Sequence, residues 1–135
     1  MSHRVLSHTA DTGIEATAGT LADLIRELAK GMFSLVAELP ETAAECWHTA
    51  RVEAGTPEDL VVDLLSELLW LSEVEDLVFC VFRVTTDEHS ATVEAGGVPV
   101  ADVDTTGTPI KAVTYHQLVV EPRGDGWYGR VYFDV

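Results

Sequence analysis

The chain closes on "RVYFDV", which sets the carboxyl of Asp134 beside the α-carboxylate of Val135. Carboxylates are hard oxygen donors, the ligand type that suits Ca2+, Mg2+ or Mn2+. One more carboxylate from elsewhere would complete a half-shell, with waters or a partner supplying the rest. Without a cation the same groups repel one another and raise at least one pKa. Asp11, in "SHTADTG", is a candidate third ligand, and Asp102, Asp104 and Asp125 are its rivals. Spacing alone does not choose among them. His8, Thr9 and Asp11 read as a short turn before Gly13, where a local Asx-turn would account for Asp11 without any function.

A second polar stretch is "IKAVTYH". Read as a strand, it sends Lys111 and Tyr115 to one face and Ala112, Thr114 and His116 to the other. A lone strand lysine is ordinarily solvated. His8 and His116 are the candidates for the general base that a metal-dependent hydrolase would need. Hydrogen bonding within the turn and within the sheet is the simpler role for each. The phosphate-loop and dinucleotide patterns are missing, and so is a G-x-S-x-G elbow. Cys46 with His48 is too poor a ligand set for zinc. Cys80 sits in apolar "LVFCVFRV", which favours a buried thiol over a reactive one.

Eight basic residues face 23 acidic ones, a formal charge of −15. That balance weighs against stable direct binding of nucleic acid, which needs clustered Lys and Arg. It suits a partner with a basic surface, or bound cations, and equally a merely solubilising surface. At 135 residues and 47% hydrophobic content, the chain is expected to form one domain, residues 1–135, with a real core. No apolar run is long enough to cross a bilayer, so no membrane association is expected. The start, "MSHRVLSHTAD", lacks a signal-peptide stretch, an argument for the cytoplasm.

These residues need elements to hold them. "GIEATAG" alternates as a strand. Thr20 then caps a helix whose Leu21, Leu24, Ile25, Leu28, Met32 and Leu35 recur at helical spacing. "CWHTARVEAG" reads as a strand. "TPEDLVVDLLSELLWL" is the clearest helix: Thr56 caps it, Pro57 opens it, and Glu58 and Asp59 sit at the positive end of its dipole. It is apolar beyond one face and wants cover on more than one side. From residue 77 onward the chain is strand and turn, with Pro99 confining "VPV" to an edge or to no strand at all. The order predicts an α+β fold: two helices packed on one face of a largely antiparallel or mixed β-sheet.

"HTADTGIEATAG", "GTPIKAVTYHQL" and the closing "RVYFDV", taken together, resemble the archease family. "TLADLIRELAKGMFSLV" and "PEDLVVDLLSELLWL" resemble its two helices, so the likeness runs from about residue 3 to residue 135. The resemblance implies a non-catalytic protein that assists an RtcB-type RNA ligase in tRNA splicing and RNA repair. It would promote guanylylation of the ligase histidine and multiple turnover, while GTP and manganese belong to the ligase. A general chaperone or assembly factor for RNA-processing proteins is the alternative, consistent with the acidic surface and the greasy second helix.

The resemblance further implies a divalent ion, calcium in the family and with manganese or magnesium as substitutes, held by Asp11, Asp134 and the Val135 carboxylate. It matches the family's activating lysine to Lys111. Val135 replaces a commoner Ile, a swap of little consequence where the ligand is a backbone carboxylate. Ser7 stands where many relatives have an acid, which would weaken the site. Under this reading the last carboxylate is a ligand, so an extension beyond Val135 lowers divalent-cation affinity. Calorimetric titration of calcium into the parent and a tagged variant checks this, and equal affinities would refute it.

Overall fold

In a computed structural model of the chain, residues 2–7, 11–39, 44–105, 107 and 109–135 are described, with the side chains of Ser7 and Asp11 set aside. Strands β1 (Ser2–Ser7) and β2 (Asp11–Ala18) precede helix α1 (Leu21–Ser34). β3 (Cys46–Glu53) and helix α2 (Pro57–Glu75) follow, then β4 (Leu77–Thr86) and β5 (Ser90–Pro99). A short 3-10 turn, Val100–Asp102, leads to β6 (Ala112–Val113), β7 (Val119–Arg123) and β8 (Gly126–Asp134). The fold is α+β, as expected, and every pairing among the described residues is antiparallel.

Both helix starts follow from local chemistry. Thr20 Oγ1 accepts the Asp23 N–H and Thr56 Oγ1 accepts the Asp59 N–H, each at 3.1 Å, satisfying donors that a first turn leaves unpaired. Pro57 takes the first position of α2, where no N–H is needed. At the other end, Asp76 adopts a left-handed conformation, φ 53°, and its N–H closes on Ser72 O.

The strands divide between two sheets, a partition that the alternation of residues does not specify. One sheet runs β1-β2-β8-β6, with β7 also paired to β8; the other runs β3-β5-β4. Both helices touch both sheets. Leu24 and Leu28 of α1 lie against Gly129 of β8, while Phe33 meets Phe79 edge-on at 5.7 Å and stacks with Phe82 at 5.9 Å. α2 packs on β3 and β4 and also on β6 and β7, the extra cover its composition called for.

Phe79 and Phe82 are three apart, which regular alternation would send to opposite faces. A bulge between Phe79 and Val81 adds one residue, Cys80, and restores both rings to the core. Cys80 itself is buried, and its thiol pKa is pushed up by desolvation.

Three sequence expectations change. The segment before "GIEATAG" is a strand, β1, and Asp11 opens β2 where a turn was expected. "IKAVTYHQLVVE" is two strands, since Gln117 (φ 52°) turns left-handed between β6 and β7. Pro99 ends β5, beyond the last β3 partner at Gly97, so its missing N–H costs no ladder bond on that side.

Because the Thr56 cap is worth about 1 kcal/mol, Thr56→Ala is expected to lower stability by that amount. A urea denaturation series comparing midpoints at constant slope checks it.

Candidate functional site

β8 is paired along both edges to its end. On one side Asp134 stands opposite Asp11; on the other it stands opposite Ala112, and its carbonyl accepts the Lys111 N–H at 2.8 Å. The register therefore gathers Asp11, Lys111, Asp134 and the adjoining Val135 at one end of one sheet. Asp134 and Lys111 are exposed, and Val135 is half-buried against the core. Like charges directly opposite in a ladder are destabilising. The backbone register brings the three expected carboxylate bearers, Asp11, Asp134 and Val135, to one sheet end. Among the described residues, the Asp11 side chain not being one of those described, no group of three or more His, Cys, Asp or Glu is placed to hold a metal.

The rivals to Asp11 separate on topology. Asp125 occupies the β7–β8 hairpin, at the far end of β8. At about 3.3 Å per residue that is on the order of 25–30 Å from Asp134. Asp102 lies in the 3-10 turn, and Asp104 offers its carbonyl to the Glu38 N–H at 3.1 Å. Neither is paired to β8.

Next to Asp134, Val131 and Phe133 point into the core while Tyr132 faces the other way. The Tyr132 ring covers Gly13, where a Cβ would stand 2.7 Å from it, so Gly13 serves close packing in a strand and not the turn expected of it. His116 sets its ring edge-on to Tyr132 at 6.1 Å and is itself exposed. Its N–H donates to Thr114 Oγ1 at 3.3 Å. His116 therefore belongs to a turn and supports an aromatic neighbour; the strand placement expected for it does not hold. His8 lies outside the described residues.

Thr114 donates to Tyr132 O twice, from its N–H at 3.0 Å and its Oγ1 at 2.9 Å. Pairing resumes at Val119 with Arg130, so residues 115–118 loop out of the ladder. The loop sends Tyr115 to α2, where its hydroxyl donates to Asp59 Oδ1 at 2.7 Å. Sequence reasoning missed this clasp because it treated Tyr115 as a strand residue.

Farther along the same outer face, Tyr128 donates to Glu15 Oε2 at 2.7 Å, and Arg4 also pairs with Glu15. The Tyr128 hydrogen bond, with help from Arg4, holds the Glu15 carboxyl below its usual range.

Comparison with known proteins agrees with the motifs. The profile of the archease protein family (MTH1598/TM1083) matches residues 3–135. The chain belongs to the archease family. A protein named archease from Methanosarcina acetivorans is 34% identical, with 98% of this chain and 95% of that one covered. The solution structure of protein 1598 of Methanobacterium thermoautotrophicum superposes with a TM-score of 0.87 at 23% identity, covering 98% of both chains. A crystal structure described as an archease and possible chaperone, from Thermotoga maritima, gives a TM-score of 0.68 at 22% identity over 96% of this chain and 94% of that one. Archeases are non-catalytic accessory factors of RNA ligases.

The hydrogen bond to Asp59 raises the Tyr115 phenol to about 12, with desolvation and then the charges of Asp59 and Asp63 adding to it. The clasp is thus fully present below the free phenol's pKa of about 10 and is lost as pH rises through the folded value. Ultraviolet difference titration should show a late phenolate step that disappears in Tyr115→Phe and shifts down in Asp59→Asn. A Tyr115 step near the ordinary value would contradict the clasp.

Proposed function

We propose that this archease activates an RtcB-type RNA ligase by presenting its carboxylate end, Asp11, Asp134 and Val135 with Lys111 beside them, to the ligase's active-site cleft. Its effect is to promote guanylylation of the ligase histidine and so permit multiple turnover. The observation that carries this reading is the double pairing of β8. It sets the two aspartates opposite each other and ties Lys111 to the Asp134 backbone. Family membership supplies the class of partner.

In this reading Asp11, Asp134 and the Val135 carboxylate hold a divalent ion, calcium first among the hard cations, with manganese or magnesium able to substitute. When bound, the ion gathers the three carboxylates into one fixed, partly neutralised group. Lys111, exposed at the same end, is positioned to meet an acidic or phosphate group of the partner complex. The formal charge of −15 steers the protein toward a basic RNA-binding cleft and away from RNA itself. In this reading the protein docks between ligation cycles, in the cytoplasm.

The test is RNA joining by the cognate ligase with GTP and manganese, with and without substoichiometric amounts of this protein. The parent is expected to raise turnover, and Asp134→Ala, still folded by circular dichroism, to lose at least about ten-fold of that gain. No activation by the parent of a competent ligase would overturn the reading and leave general chaperone activity as the alternative.

A further inference from the structure

α2 is buried along most of its surface, yet one stripe remains open. Asp63, Ser66, Trp70, Glu73 and Val74 recur at spacings of three and four and are exposed, with Trp70 and Val74 each at 55%. An indole left this open on an otherwise covered helix has no folding role that requires its exposure. Its surroundings give it context. Trp70 and Lys111 line one shallow groove between α2 and β6, together with Ser66, Leu69 and Glu73. Lys111 is in turn bonded through its backbone to Asp134. The groove therefore reaches the segment whose backbone pairs with Asp134 at the carboxylate end.

We propose that this stripe, centred on Trp70, is the surface on which the RtcB-type ligase docks; the inference rests on the activator reading above. Charge selects that occupant over a second copy of this chain. The stripe itself includes Asp63 and Glu73, and each molecule carries −15, so two copies brought face to face along it would repel. A basic-rimmed cleft of a nucleic-acid enzyme is complementary instead, offering cations to Asp63 and Glu73 on either side of the indole. Tryptophan truncations dominate the energetics of such interfaces. Docking here would bring Lys111 and Asp134 to the partner together, since the β6 segment that carries Lys111 lies beside the stripe.

The experiment measures binding of the purified ligase to the parent, Trp70→Ala, Trp70→Glu and Trp47→Ala, with activation titrated for each. Trp47 is 42% exposed on the other sheet, under Arg83, and serves as the control for loss of a surface indole. Trp70→Ala is expected to weaken ligase affinity by about 30-fold, with Trp70→Glu weaker still and Trp47→Ala like the parent. Activation by Trp70→Ala should reach the parental plateau at correspondingly higher concentration, because docking and not the carboxylate end is impaired. Calcium affinity and melting should stay parental.

If the parent activates and both Trp70 variants bind as the parent does, the docking surface lies elsewhere and only this inference falls. If the parent neither binds nor activates, the activator reading falls with it. Trp70-dependent self-association in sedimentation equilibrium would assign the stripe to a second copy and overturn the proposal.

Discussion

The pairing of β8 on both edges is the constraint on which the rest of the molecule depends. Its inward residues, Val131 and Phe133, are fully buried, and its glycine, Gly129, admits Leu24 and Leu28 of α1. A slip of one residue against β2 would turn those apolar side chains outward and carry Asp134 into the core. Burial thus enforces the register, and the register in turn decides which residues meet at the end of the strand. The strand end inherits its precision from the hydrophobic core.

Around that strand the fold reconciles two demands. Both helices are more apolar than a single sheet face can cover, and the second sheet supplies the remaining cover. The bulge at Cys80 adjusts the parity of β4 so that Phe79 and Phe82 both reach Phe33. The edge of β8 opposite β2 is filled by two short strands with five residues, 114–118, between them. That loop carries Tyr115 to the first turn of α2 and lays the Lys111 segment alongside the helix. The site is therefore held by a strand end, an edge strand and a helix together.

This arrangement suits an accessory protein. Acidic groups gathered at a sheet end, a cation-bearing side chain beside them and an open apolar stripe form an exposed apex, not an enclosed pocket. Of the two histidines weighed for a hydrolytic reading, His116 packs on Tyr132 from a turn, and His8 lies outside the described residues.

Much was legible from the sequence because it is local. Helical spacing and the Thr20 and Thr56 caps located both helices, alternation located β4 and β8, and three short motifs pointed to the family. The α+β class followed from element order. Tertiary structure alone decided what depends on pairing between distant segments. These are the division into two sheets, the extra strand β1, the bulge parity, the loop at 115–118 and the opposition of Asp11 to Asp134 over the rival aspartates. Side-chain alternation records which face of a strand is buried but not which strand lies beside it. Hydrogen-bonded ladders are made between backbones that carry no residue identity. Only the simultaneous burial of all the apolar faces selects the pairing, and so ties Lys111 to the Asp134 backbone and sets it in the groove with Trp70.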